Sequence, residues 1–210
     1  MTEAELRTLL VELGASLFAR GYSVGSAGNI SVRLEDGFLI TPTNSSLGRL
    51  TAERISKLDR NWTHVGGDKP SKEVFMHRAV LTARPEAGAV VHLHSTYATA
   101  VSCLDLGEGR RPIAPLTPYF VMRVGRHLPV VRYYRPGDPA MEQDIHEAAL
   151  GARALLLANH GSVVSGKTLT DAVYAAEELE ESAKLALMLE GKATRELTPE
   201  QIEELLSTFK

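Results

Sequence analysis

The chain has 210 residues, enough for one fairly large domain with a continuous core, and its composition of 44% hydrophobic and 23% charged residues is typical of a soluble globular protein. Its formal net charge of −3 argues against a nucleic-acid-binding protein, since such proteins usually carry a clustered basic excess. The single cysteine, Cys103, excludes an internal disulfide framework and a cysteine-based zinc site.

The first half of the chain is predicted to contain two helices and several short strands. Apolar residues recur at helical spacing over residues 3–20, and the acidic residues near Met1 favour the start of a helix over a signal peptide. Strands are expected at residues 29–34 and 38–41, joined by a hairpin turn, with a strand or turn at 55–58 and a polar turn around His64. Ser71 is expected to cap a helix that has Glu73 in its first turn and ends before Pro85.

The second half of the chain predicts further strands and helices in alternation. Buried strands are expected at residues 89–94 and 154–158, an extended stretch at 129–133, and helices after Ser95, at 141–150 and at 169–190. No linker, internal repeat or apolar run of about 20 residues interrupts this pattern. We therefore expect a single α/β domain over residues 1–210 with helices around a central sheet, in a cytoplasmic protein without membrane or nucleic-acid partners. The pattern leaves the strand order open.

Three histidines form the most informative pattern in the sequence. Side chains alternate along a strand, so His92 and His94 project from the same face at the end of an apolar strand. His160 follows the next buried strand directly, and Gly161 would allow a sharp turn there. A lone histidine in such a place is more often structural, but three imidazoles with an open position fit a catalytic divalent ion, most readily Zn²⁺, with Mn²⁺ or Co²⁺ as alternatives.

Glu73 is the natural acidic partner of these histidines. In a first helical turn it could simply complement the helix dipole, or it could complete the metal site and act as a base when substrate binds. Structural roles are expected for the four other histidines, which are His64, His77, His127 and His146. Four arginines lie close together and indicate either a solvated loop or an anion site or subunit contact: Arg123, Arg126, Arg132 and Arg135.

Five motifs together resemble the class II aldolase/adducin family. They run in the family's order along nearly the whole chain: Gly28-Asn29-Ile30-Ser31, Thr41-Pro42-Thr43, Ser71-Lys72-Glu73, His92-Leu93-His94 and Asn159-His160-Gly161. The resemblance implies a single-domain, three-layer fold with a mainly antiparallel sheet flanked by helices. It also implies cyclic homotetramers with active sites between subunits, and zinc-dependent lyase or epimerase activity on small sugar phosphates. The implied ligands of one divalent ion per subunit are Glu73, His92, His94 and His160.

The same resemblance implies a site for the substrate phosphate. Its residues are Gly28, Asn29, Thr43, Asn44, Ser71 and Lys72. These positions also make physical sense, because backbone amides, hydroxyls, a helix N-terminus and a lysine are good phosphate ligands. Each small polar residue is equally compatible with ordinary turn chemistry.

Longer stretches are similar to one branch of the family, the 3-oxo-tetronate 4-phosphate decarboxylases. They include Gly67-Asp68-Lys69-Pro70-Ser71-Lys72-Glu73, where Lys72 stands at a position usually serine in fuculose-phosphate aldolases, and Thr117-Pro118-Tyr119-Phe120. In this branch a tyrosine donates a proton in the site of the adjacent subunit, and Tyr119 matches it. Without the resemblance, Tyr119 would be interpreted as an interface aromatic residue.

The activity implied by this branch is loss of carbon dioxide from a phosphorylated β-keto acid. A metal-stabilised enediolate would form and would then be protonated to dihydroxyacetone phosphate. The alternatives are a class II sugar-phosphate aldolase of the fuculose-phosphate type, which passes through the same enediolate, or a pentulose-phosphate 4-epimerase. A non-catalytic adducin-like domain is disfavoured because a scaffold has no need for an intact set of metal ligands.

Overall fold

The computed structural model describes residues 1–107 and 110–209 of the chain. Its strands are β1 (Asn29–Arg33), β2 (Gly37–Ile40), β3 (Ser56–Asp59), β4 (His64–Gly66), β5 (Ala89–Leu93), β6 (Val130–Val131), β7 (Ala154–Leu157) and β8 (Gly161–Gly166). Its α-helices are α1 (Glu3–Ala19), α2 (Val74–Ala83), α3 (Thr96–Ser102), α4 (Pro118–Arg123), α5 (Met141–Gly151), α6 (Leu169–Met188) and α7 (Pro199–Thr208). None of these helices is long and apolar enough to cross a membrane.

The described strands form one sheet in the order β4-β3-β2-β1-β5-β8-β7-β6. Neighbouring strands are antiparallel throughout, except that β6 and β7 are parallel. The most buried strand, β5, lies between β1 and β8, with Asn29 opposite His92 and Leu93 opposite Ser162. This pairing brings the start of β1, the end of β5 and the start of β8 together along one edge of the sheet, the edge formed by the ends of these central strands.

Helices cover both faces of the sheet and produce three layers. On one face, Val91 and Leu93 of β5 pack with residues of α1, α3, α4 and α6 in the larger apolar core. On the other face, Val90 of β5 packs with residues of α2 and α5 in a second core. Because side chains alternate along a strand, His92 lies on the same face as Val90 and therefore faces the layer that contains α2. The mainly antiparallel, helix-flanked sheet confirms the predicted fold class.

Several local predictions differ from the structure. His64 begins strand β4 and does not lie in a plain turn. This strand is the outermost of the sheet, is largely exposed and has only three residues, which is too short for an alternating pattern to identify it. A sharp turn was expected at Gly161, but this residue begins strand β8. The sharp turn before it is made by Asn159, whose φ is +57°. Gly161 is required for another reason, since a Cβ there would lie 2.3 Å from the carbonyl oxygen of Leu93.

The start of α2 also differs from the prediction. The helix begins at Val74, so Glu73 is its N-cap residue and does not lie within the first turn. The Ser71 hydroxyl accepts a hydrogen bond from the Glu73 amide at 3.2 Å, which orders the approach to the helix without capping it. The Glu73 carboxylate makes no capping bond to the helix, and its side chain is free to face the edge of the sheet.

Candidate metal centre

The three histidines predicted as ligands converge at this edge of the sheet. His92 comes from the end of β5, His94 follows that strand, and His160 lies in the tight turn between β7 and β8. Their ligand nitrogen atoms all lie within 4.8 Å of one another, and the Nε2 atoms of His92 and His94 are 2.9 Å apart. The rings stand nearly edge to face, which points the three nitrogens toward a common centre.

The hydrogen bonds at this site leave the Nε2 atoms of His92 and His160 free to bind a metal ion. The Nδ1–H of His92 donates to the Ser162 carbonyl oxygen at 2.8 Å, so its Nε2 carries a free lone pair. Within the described residues, Nε2 of His160 is buried and has no hydrogen-bond partner. A buried polar atom without a partner costs free energy, and a cation placed among the three ring nitrogens would give Nε2 of His160 a partner. The residues therefore fit a bound metal ion.

Burial favours the uncharged form of all three imidazoles. The pKa of His92 lies well below its usual 6.5, first because the ring is fully buried and then because His94 and His160 are close. Burial and the proximity of His160 lower the pKa of His94 to about 4. Burial also lowers the pKa of His160, and the Glu73 carboxylate opposes that shift. Neutral imidazoles are the form that binds divalent ions.

Glu73 contributes a carboxylate to the same centre. Its Oε2 lies 3.7 Å from Nε2 of His92, and its Oε1 lies 3.6 Å from Nε2 of His160. Ligands 2.0–2.2 Å from a tetrahedral ion lie about 3.3 Å apart, so these distances suit atoms that share an ion. The Oε2 atom also accepts a hydrogen bond from the Asn29 side-chain amide at 2.7 Å.

A cleft of about 250 Å³ opens beside Glu73 and His94. All six residues predicted to bind phosphate line it: Gly28, Asn29, Thr43, Asn44, Ser71 and Lys72. Gly28 has a φ of +80°, and a Cβ there would lie 2.9 Å from the His92 carbonyl oxygen, so this turn must be glycine. Asn29 lines the cleft, but its side-chain amide is occupied by Glu73 and His77.

Sequence reasoning missed part of this cleft. Ser26, Ala27 and Pro42 complete the lining from the same two loops, and Pro136 and Gly137 add a third wall from the loop after β6. The proline, glycine and charged residues at 133–139 were a sequence signal for this third wall, but they were not predicted to line the cleft. His77 was assigned a structural role, yet it is fully buried and bonded to Asn29 at the edge of the site.

The structure does not bring Tyr119 to the cleft of its own chain. Tyr119 lies near the start of α4 and is 60% exposed, and it is not among the residues that line the cleft. None of the four clustered arginines is among the residues that line the cleft, although Arg135 directly precedes Pro136, which is; Arg126 pairs with Glu203 and Arg132 with Asp144. Their interpretation as a solvated surface fits these exposed ion pairs.

Comparison with known proteins gives this arrangement a context. Residues 8–187 match the model of the Class II Aldolase and Adducin N-terminal domain. The chain belongs to this family. It is 52% identical over 206 residues to a protein of Haemophilus influenzae named 3-oxo-tetronate 4-phosphate decarboxylase, covering 98% of both chains. It is 34% identical to an L-fuculose phosphate aldolase of the same organism, covering 100% of this chain and 95% of that protein.

A solved structure agrees with this assignment. The crystal structure of YgbL from Klebsiella pneumoniae superposes on 98% of this chain and 99% of its own, with 50% sequence identity and a TM-score of 0.93. Family membership and this likeness confirm the resemblance that the five motifs indicated.

Proposed function

We propose that this class II aldolase family member is a carboxy-lyase that converts a 3-oxo-tetronate 4-phosphate to dihydroxyacetone phosphate and carbon dioxide. The observation that carries this choice is sequence identity within the family. Five relatives named 3-oxo-tetronate 4-phosphate decarboxylase are 44–52% identical to the chain over nearly its full length. Two L-fuculose phosphate aldolases are 32–34% identical to the chain.

The proposed metal ligands are His92, His94, His160 and Glu73. Support comes from their convergence, from the neutral state of the imidazoles and from the orphaned Nε2 of His160. We propose one Zn²⁺ per subunit, since three nitrogens and one carboxylate suit it, with Mn²⁺ or Co²⁺ as alternatives. When bound, such an ion supplies Lewis-acid stabilisation of the negative charge that develops as carbon dioxide leaves.

The cleft beside Glu73 is proposed to hold the substrate phosphate. The Gly28 turn and the polar groups of Thr43, Asn44 and Ser71 surround it, and Lys72 adds the positive charge that a phosphate needs. Binding there would place the far end of a four-carbon substrate against His94 and Glu73, which line the same cleft. Because a phosphorylated substrate is charged and does not cross membranes readily, we propose a cytoplasmic location.

The proposed proton transfers use Glu73 and Tyr119. The bond between the carboxylate carbon and C2 breaks, its electrons pass toward the C3 carbonyl, and Tyr119 gives a proton to C2. Glu73 takes and returns the proton of the substrate hydroxyl. Tyr119 is exposed, which supports the proposal that it enters the active site of a neighbouring subunit. We propose a cyclic homotetramer with active sites at the interfaces between its subunits.

A paired assay tests the proposal. Purified protein is stripped of metal and reloaded with Zn²⁺, Mn²⁺ or Co²⁺, and is then offered a four-carbon 3-keto-acid 4-phosphate or a ketose 1-phosphate. We expect metal-dependent release of carbon dioxide from the keto acid and dihydroxyacetone phosphate in equal amount. Aldehyde release from the ketose phosphate, without decarboxylation, would instead identify an aldolase. The His94→Ala variant should bind no stoichiometric metal and should be inactive, while its circular dichroism stays that of the wild type.

A further inference from the structure

A chain of hydrogen bonds runs from the sheet to Glu73 through His77. The Ser31 hydroxyl and Nδ1 of His77 are 2.7 Å apart, Nε2 of His77 contacts Oδ1 of Asn29, and Nδ2 of Asn29 donates to Oε2 of Glu73 at 2.7 Å. Asn29 and Ser31 lie two residues apart on β1 and therefore share a face. His77 lies one helical turn after Glu73, so α2 presents both residues to that face.

The chemistry of the end group fixes the direction of every bond in this chain. An ionised carboxylate only accepts, so Asn29 must turn its NH₂ toward Glu73 and its carbonyl oxygen toward His77. His77 must then carry its proton on Nε2 and accept at Nδ1, where the Ser31 hydroxyl donates. Each donor therefore points toward Glu73.

Burial keeps this arrangement in place. Ser31 and His77 are 0% exposed and Asn29 is 5% exposed, so water cannot substitute for a missing partner. Burial also lowers the pKa of His77 to about 3, which keeps the ring neutral with one donor and one acceptor nitrogen. If His77 did not donate, the Asn29 amide could turn over and present its oxygen to the Glu73 carboxylate, placing two acceptors in contact.

We propose that His77 is a positioning residue that holds the Asn29 amide in the one orientation able to fix Glu73 for catalysis. With Oε2 held by Asn29, the other carboxylate oxygen, Oε1, faces His160 at 3.6 Å from its Nε2. His77 itself is not among the residues that line the cleft, and its hydrogen-bond connection to Glu73 runs through Asn29. The inference rests on the proposed function, because it assigns Glu73 the base and ligand roles described above.

Two amide variants separate positioning from simple packing. In His77→Gln the side-chain N–H reaches the position of Nε2–H and still donates to Asn29. In His77→Asn the shorter amide can accept from Ser31 but does not reach Asn29. Substitution of residues that hold metal ligands in place typically lowers metal affinity or activity by about 10–100-fold. We expect His77→Asn to lower kcat by that amount with little change in KM. His77→Gln should retain most of the activity.

The readouts are kcat and KM on the keto-acid phosphate, zinc affinity by competition with a chromophoric chelator, and the free energy of unfolding in urea. Equal loss in both variants, in proportion to their lost stability, would show a packing role and overturn the proposal. If the wild type releases no carbon dioxide, the proposed function fails. The zinc affinities of the two variants then decide the role of His77, with weaker binding only in His77→Asn supporting it and equal binding refuting it.

Discussion

The stability of the metal-free protein should depend on pH through His77. The ring is fully buried, and burial lowers its pKa from 6.5 to about 3. Above pH 6.5 the residue is neutral in both the folded and the unfolded chain, so it adds no pH dependence. Between pH 6.5 and 3 the unfolded chain binds a proton that the folded chain excludes. The free energy of unfolding therefore falls by about 1.4 kcal/mol per pH unit as pH decreases, or about 3 kcal/mol at pH 4.5.

The matched measurement uses wild type and His77→Gln in a chelating buffer, unfolded in urea at one protein concentration and at several pH values. The pKa values of His92, His94 and His160 are also lowered, but both proteins contain these residues, so the difference between the two curves isolates His77. We expect the stability gap between them to shift in favour of the variant by about 3 kcal/mol from pH 7.5 to pH 4.5. Parallel curves would mean that His77 is protonated in the folded protein, and the neutral hydrogen-bond chain would be wrong.

Three further substitutions test other parts of the site. Tyr119→Phe should lower kcat by about 10²–10⁴-fold while bound metal stays stoichiometric, and an unchanged rate would exclude Tyr119 as proton donor. Gly28→Ala places a Cβ 2.9 Å from the His92 carbonyl oxygen at a φ of +80°, so we expect a higher KM and a loss of about 1–2 kcal/mol in urea unfolding. Glu180 accepts hydrogen bonds from the Ser95 hydroxyl and from the amides of Tyr97 and Ala98 at the start of α3. Glu180→Gln should therefore lower the free energy of unfolding by about 3 kcal/mol, and a loss near zero would contradict this anchoring of the chain after His94.

Local patterns predicted the parts of the site that depend on one segment of chain. Alternation along β5 predicted that His92 and His94 share a face, whereas the residues that line the cleft were predicted from the resemblance to the class II aldolase family. Strand β8 was missed because its six residues begin and end with glycine and include two serines, a composition typical of a loop. The N-cap of α2 is Glu73, two residues after the cap expected at Ser71.

Other features depend on contacts between distant segments and left no local signal. The partners of His77 lie 46 and 48 positions earlier in the chain, on a strand whose neighbours in the sheet were unknown. Its spacing of four residues from Glu73 placed it on the right helix face but did not reveal Asn29 as the link. The strand order likewise follows from pairing of β5 with β1 and β8, which no single segment encodes.

The pairing of β5 between β1 and β8 has a consequence for how the protein matures. The proposed ligands come from three separated regions of chain, and they meet only when Asn29 lies opposite His92 and Leu93 opposite Ser162. A shift of β5 by one residue against its neighbours would turn His92 toward the larger apolar core and away from Glu73. An ion held by these residues would therefore bind only after the central strands have paired, and it would stabilise the correctly paired sheet over any sheet with shifted strands.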